Sequence, residues 1–235
     1  LRDTSGIILC LSNIGSTLAN DSMSESALEN FEEALRLTRL IGDVRMEAHI
    51  LVSLSSVNNA LGHHGEALEL AQSGLAILEQ IGDRHGIAFS YNILGAVYLH
   101  TYRFDDALEL FPKGITLAAE IDDQMRVADL KRSTGYVYFL QSMYADALLL
   151  FESSRQQFAV LGIKSSQIAS AIGAAWCSLK LEALETAGAS IIKSSDLLSR
   201  TQSLVREEDF TMLEYESQST AWLKGLSRFG ITLAE

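Results

Sequence analysis

Five histidines, at positions 49, 63, 64, 85 and 100, are the residues of this chain that most invite chemistry. Imidazoles hold transition metals when three or four ligands converge on one point. His63 and His64 fall in a turn, and His85 opens the helix after next. A whole helix of about 16 residues therefore separates them, or ~24 Å at 1.5 Å per residue. His49 and His100 stand near opposite ends of successive helices, roughly 16 Å apart on the same arithmetic. No metal site and no cofactor is expected. The serines form no Gly-x-Ser-x-Gly elbow, and no strand is legible to carry one. A phosphate-binding Gly-x-x-x-x-Gly-Lys is missing, and Lys113-Gly114 lies inside a helix. The acid pairs Asp105-Asp106, Asp122-Asp123 and Glu207-Glu208 fall at helix starts or on outer faces, where carboxylates favour the helix dipole. The chain reads as non-catalytic.

Composition points the same way. The 235 residues are 48% hydrophobic and 20% charged, ordinary values for a globular protein. The net charge of −12 argues against direct nucleic-acid contact, which needs clustered Lys and Arg. It suggests instead a partner with basic residues. The longest apolar stretches are a few residues, so no membrane insertion is expected. Cys10 and Cys177 are too far apart in the pattern to bridge, and read as free thiols in a reducing, cytoplasmic compartment. No leader is visible, and the chain opens at Leu1 in mid-pattern, which reads as a piece of a longer protein.

The elements that must position these residues recur at a fixed spacing. Ile41-Gly42-Asp43, Ile81-Gly82-Asp83, Ile121-Asp122-Asp123 and Leu161-Gly162-Ile163 fall 40 residues apart. Such a period marks stacked copies of one supersecondary unit, each burying the apolar face of its neighbour. Laid out in rows of 40, the columns agree. Gly15, Ser55, Gly95, Gly135 and Ala175 form one, and Ala27, Ala67, Ala107, Ala147 and Ala187 another. Leu28, Leu68, Leu108 and Leu148 follow, then Phe31, Ala71, Phe111 and Phe151. Small columns mark helix crossings, where the missing side chain lets backbones approach. Gly ends one helix and Asp caps the next.

Each row is thus helix A, turn, helix B, turn. The A helices are predicted near 5–19, 45–61, 85–101, 125–141 and 165–180. The B helices are predicted near 24–40, 64–80, 104–120, 144–160 and 183–199. Pro112 falls inside the third B helix, where it removes the bond to the Leu108 carbonyl; a tolerated kink is expected.

This pattern resembles the tetratricopeptide repeat in its 40-residue form, on Gly95 and Gly135, Tyr98 and Tyr138, Ala107 and Ala147, and Phe111 and Phe151. The resemblance implies an all-α fold, a right-handed superhelix of antiparallel helix pairs. It assigns repeats to 4–43, 44–83, 84–123 and 124–163, a degenerate repeat to 164–203, and capping or connector helices to 204–235. It implies that A helices line a concave groove for a protein or peptide partner, with a second copy of the chain among the partners admitted.

Carried onto this sequence, the groove positions give Asn59, Phe89, Asn92, His100, Asp129, Arg132, Tyr136, Phe139 and Trp176 as the candidate binding residues. The leading functional expectation is a binding module, the sensory or scaffolding segment of a larger bacterial signalling protein. The alternative is the regulatory part of a multidomain enzyme, such as a cyclase or kinase, or of a transcription regulator, with a small molecule as its signal.

The unbroken alanine column supplies the first test. Ala107→Leu should overpack its crossing and destabilise the fold by roughly 1–3 kcal/mol. An unchanged melting temperature would show that the column has been misread.

Overall fold

The computed structural model describes residues 4–20 and 23–185. These form helices α1 (Thr4–Asn20), α2 (Ser24–Ile41), α3 (Val44–Leu61), α4 (His64–Ile81), α5 (Arg84–His100), α6 (Phe104–Glu120), α7 (Gln124–Leu140), α8 (Tyr144–Leu161) and α9 (Lys164–Glu185), and no strand occurs among them. The odd-numbered helices are the A helices and the even-numbered ones the B helices. Through α8 every boundary lies within one residue of the expected one. α9 differs, running on to Glu185 through the break expected near 181–182. No Gly, Pro, Asn or Asp stands between Gly173 and Gly188 to stop it. The B helix expected at 183–199 and the cap expected at 204–235 lie, but for the end of α9, outside the described residues.

The turns show why the period is so strict. Gly42, Gly62, Gly82 and Gly162 adopt left-handed backbone, with φ between 69° and 85°. Tyr102, Asp122 and Ser142 occupy the same columns with φ of 60°, 57° and 63°. A residue with a Cβ pays roughly 1–2 kcal/mol for that conformation. It is held because the following amide must reach back across the turn: Asp83 N–H donates to the Leu78 carbonyl at 3.0 Å, and Met143 N–H to that of Tyr138 at 2.8 Å. Three A helices are then capped alike, Asp43, Asp83 and Asp123 accepting from the amides of Met46, Gly86 and Arg126 at 2.9–3.0 Å. The B helices α2, α4, α6 and α8 begin without a side-chain cap. α6 continues through Pro112, whose ring faces solvent.

Packing follows the columns. Ala27, Ala67, Ala107 and Ala147 are fully buried, as are Phe111 and Phe151. Each Phe ring of the B helix fills the gap left by a glycine on its own A helix: Phe31 by Gly15, Phe111 by Gly95 and Phe151 by Gly135. The second repeat reverses the volumes. Ala71 replaces the ring, and Ser55 fills the space and donates to the Ala67 carbonyl at 2.7 Å. Along the array α1 touches α3, α3 touches α5, α5 touches α7 and α7 touches α9, whereas no two B helices touch among the described residues. The A helices are therefore the inner layer of the curve.

These crossings are not equally tight. A Cβ added at Gly95 would overlap the Phe111 ring, while at Gly135 it would stand 3.3 Å from Phe151. Gly95→Ala should therefore cost roughly 1–3 kcal/mol through overpacking. Gly135→Ala should lie near zero, because the gain in helix propensity of about 1 kcal/mol offsets the tight contact. Chemical denaturation of the two variants side by side checks the ranking.

Candidate functional site

The inner face is a ladder of polar and cationic contacts between successive A helices. Its first rung ties α3 to the start of α5. Asp83 is buried, accepting from the Gly86 amide, from Arg45 at 2.9 Å and from His49 Nε2 at 3.1 Å. Burial would raise its carboxyl pKa, but the Gly86 amide, then His49, then Arg45 more than reverse this and hold it below the ordinary aspartate value.

At the other end of the same helices Asn59 bridges two imidazoles. Its amide N–H donates to His100 Nδ1 at 2.7 Å, and its carbonyl accepts from His64 Nδ1 at 2.9 Å. The two rings stack with centroids 5.9 Å apart. Burial, followed by the neighbouring His64, holds the His100 pKa below the usual histidine value.

Further along, α5 meets α7. Ser133 donates to Asn92 Oδ1 at 3.2 Å, and the Arg126 guanidinium lies 4.6 Å over the Phe89 ring. Arg126 belongs to a cluster in which two guanidinium groups share one carboxylate. Asp129 accepts from Arg132 at 2.8 Å and faces Arg126 at 3.7 Å, with side chains only 14% (Arg126), 16% (Asp129) and 22% (Arg132) exposed. Arg126 Nε is buried with no hydrogen-bond partner. Arg132 also lies 5.3 Å over Phe158.

The expected site residues divide accordingly. Phe89, Asn92, Asp129 and Arg132 come together at the α5–α7 contact. Asn59 and His100 form a separate group with His64. Trp176 is partly buried on α9, and Tyr136 sets its ring against Phe151 with centroids 4.9 Å apart. Burial raises the Tyr136 phenol and nearby Arg132 opposes that.

Two expectations need correcting. Phe139 is a core side chain, buried and edge-on to Tyr144, because its column turns towards α8 rather than the open face. Asn59 is also buried, its amide consumed by the two histidines. Helix-length arithmetic missed the approach of His64 to His100, since it measured along helices and not across the stack. Arg126 was missed too, although its column reads Gly6, Met46, Gly86 and Ser166 elsewhere, so the arginine stands out. Among the described residues no group of three or more His, Cys, Asp or Glu is placed to hold a metal ion, and no helix is long and apolar enough to cross a membrane.

The sign of the −12 charge depends on the layer. The B helices α2, α4, α6 and α8 carry 13 acidic and 4 basic side chains, a net of −9. The A helices α1, α3, α5, α7 and α9 carry 4 acidic and 7 basic, a net of +3. Asp43, Asp83 and Asp123, which cap three of these A helices, offset that excess, so the inner layer is close to neutral inside an acidic wall.

Comparison with known proteins places this geometry. Residues 7–80 match the family model for the tetratricopeptide repeat. No curated protein matches the sequence. BtubC from P. vanneervenii shares the fold at a TM-score of 0.68 and 14% identity, over 88% of this chain and 84% of that one. A Rap protein complexed with Competence and Sporulation Factor superposes at 0.74 and 13% identity, over 86% of this chain and 55% of that one. A signal transduction ATPase with numerous domains from Pyrococcus horikoshii, which has a tetratricopeptide repeat sensor, gives 0.65 and 13% over 95% of this chain and 37% of that one. The chain therefore spans about half of the Rap protein and about a third of the ATPase. The fold is a tetratricopeptide-like solenoid.

The Asp83 rung gives a pH-dependent prediction. A carboxyl whose folded pKa is depressed contributes stability that is complete above the unfolded aspartate value and is lost as pH falls through the folded one. Asn caps a helix as well as Asp does, so Asp83→Asn removes the charge and keeps the cap. At neutral pH the variant should melt lower by about 2–4 °C, the shift expected for roughly 1 kcal/mol in a chain of this size. The gap should close below about pH 4. Melting curves at neutral pH and near pH 3 decide it.

Proposed function

We propose that this tetratricopeptide-like array is a non-catalytic binding module whose A-helix face captures a peptide or protein segment, and that it engages an anionic group of that ligand. The observation that carries this is the Arg126–Asp129–Arg132 cluster. One carboxylate cannot neutralise two guanidinium groups, and the surplus positive charge favours an incoming carboxylate or phosphate. Asn92 stands beside it with an amide suited to reading a peptide backbone. Tyr136 and Trp176 lie further along the same layer, half-buried against the cluster around Phe151.

A partner bearing basic residues, the expectation from net charge, gives way here to local charge. The acidic excess lies on the B helices, away from the inner layer. The Rap protein of the same fold is complexed with Competence and Sporulation Factor, which supports capture of a separate factor by such an array.

A second reading follows from the ATPase with a tetratricopeptide repeat sensor. There the array is the sensor arm of a larger regulator, and capture of the ligand is its input. The two readings share the same face and differ in what is attached to it.

Selection from a displayed random-peptide library tests the site directly. Selected peptides should be enriched in Asp, Glu or a free C-terminus. Arg132→Ala and Tyr136→Ala should each weaken them by about tenfold or more, as loss of an anchor contact does, with circular dichroism unchanged. Peptides that bind both variants as tightly as the parent would overturn the assignment.

A further inference from the structure

One joint between successive A helices is built on imidazoles. Asn59, near the end of α3, lies between His100 at the end of α5 and His64 at the start of α4. One repeat earlier the matching positions hold Ala19, Ser24 and Ala60. One repeat later they hold Leu99, Phe104 and Leu140, and after that Phe139, Tyr144 and Lys180. None of these three sets contains a histidine. Leu99 and Phe104 pack on the core instead, and Phe139 meets Tyr144 edge-on. The joint between the second and third repeats thus replaces an apolar contact by hydrogen bonds that depend on protons.

An amide has one donor end and one acceptor end. Each end of the Asn59 amide faces an imidazole Nδ1, at 2.7 Å and 2.9 Å. Whichever way the amide is turned, both bonds exist only if one Nδ1 carries a hydrogen and the other offers its lone pair. The donating ring can take a proton on Nε2 and keep its bond. The accepting ring cannot become an imidazolium without setting an N–H against the amide N–H. The bridge therefore tolerates one imidazolium and not two. A second proton also places like charges on stacked rings 5.9 Å apart. It leaves one end of a buried amide without a partner, a costly state. Both rings are partly open to solvent, so protons reach them in the folded chain.

The surrounding elements supply little charge to compensate. α3 and α5 carry no Asp, Glu, Lys or Arg beyond Glu47 and Arg84, and α7, packed on α5, carries none beyond Arg132. α1, packed on α3, has none. The acids near the starts of α2, α4 and α6 (Glu25, Glu66 and Asp105) are exposed, and Asp106 is taken by Arg103 at 2.7 Å. His63 turns to Asn58 Oδ1 at 3.3 Å.

We propose that the His64–Asn59–His100 bridge is a proton-operated latch, which holds the ends of α3 and α5 together while at least one imidazole is neutral and releases them when both are protonated. Release lets the inner face change its curvature between the second and third repeats. The latch is separate from the Arg126–Asp129–Arg132 cluster and stands whether or not that cluster binds a ligand.

NMR signals of the full 235-residue chain read the latch directly. The ring Cε1–H signals of His64 and His100 should titrate in two separate steps between about pH 8 and about pH 4.5. The Asn59 side-chain amide should lose its hydrogen-bonded shift with the second step only. A triple variant, Asn59→Leu with His64→Phe and His100→Leu, copies the joint one repeat on. Amide hydrogen exchange over residues 53–62 and 93–102 is then compared between parent and variant at matched pH. The ratio of parent to variant rates should rise by about tenfold or more from neutral pH to below the second step, as the latch opens. Asn59→Asp should reverse the trend against the same triple variant, because a carboxylate accepts from two imidazolium N–H groups. Two results would overturn the proposal: both rings titrating in one step with the Asn59 amide unmoved, or an exchange ratio that is the same at both pH values. The titration of the parent needs no variant, so it decides even if the triple variant does not fold.

Discussion

The crossing of each A helix with its own B helix is the contact on which everything else in this protein rests. Two helices pack closely only if one side of the crossing gives up its side chain. Here the volume given up on one helix returns on the other: glycine faces phenylalanine in the first, third and fourth repeats, and serine faces alanine in the second. The total is kept while its distribution changes. A close-packed interior tolerates that exchange far better than a change on one side alone. With the crossing fixed, the angle between helices is fixed, and so is the step from one A helix to the next.

That step decides which polar groups meet. A helices touch A helices along the inner layer, so several polar side chains there meet one 34 to 41 positions away. Asn59 meets His100, Asn92 meets Ser133, and His49 meets Asp83 just ahead of the next helix. Among the described residues the outer layer has no such contacts and carries most of the acids. Net charge, a single number for the chain, therefore describes the wall and misdescribes the inside. The two arginines that share Asp129 belong to this inner layer.

The helices and their order were legible because the period writes them into the sequence four times. Small columns, Leu columns and Gly-Asp stops all keep one phase, and each has a local cause in backbone sterics or capping. The site was legible only in part. Asn92, Asp129 and Arg132 come together at the α5–α7 contact. Phe139 does not, because a helix shows whole flanks to its neighbours and a column near the boundary can turn either way. The His64–Asn59–His100 bridge was hidden for a different reason. It depends on the offset between stacked repeats, a property of the superhelix that the spacing within one repeat does not carry. α9 shows the converse: without a stop signal after Gly173 the helix simply continues, and the fifth repeat loses the turn its ancestral phase would place there.

The matched volumes at the crossings also constrain how such a chain can be rearranged by recombination. Glycine and its phenylalanine, or serine and its alanine, lie 16 residues apart within one repeat. An exchange with its breakpoint at Gly42, Gly82 or Gly162 moves a complete matched pair and leaves each crossing intact. A breakpoint at the mid-repeat turn, at Gly62 or Tyr102, separates the partners and sets ring against serine or alanine against glycine. One such hybrid is overfilled and the other hollow. Whole units of 40 can therefore be duplicated or deleted without disturbing any A–B crossing, whereas the half-unit is not an independent piece of inheritance.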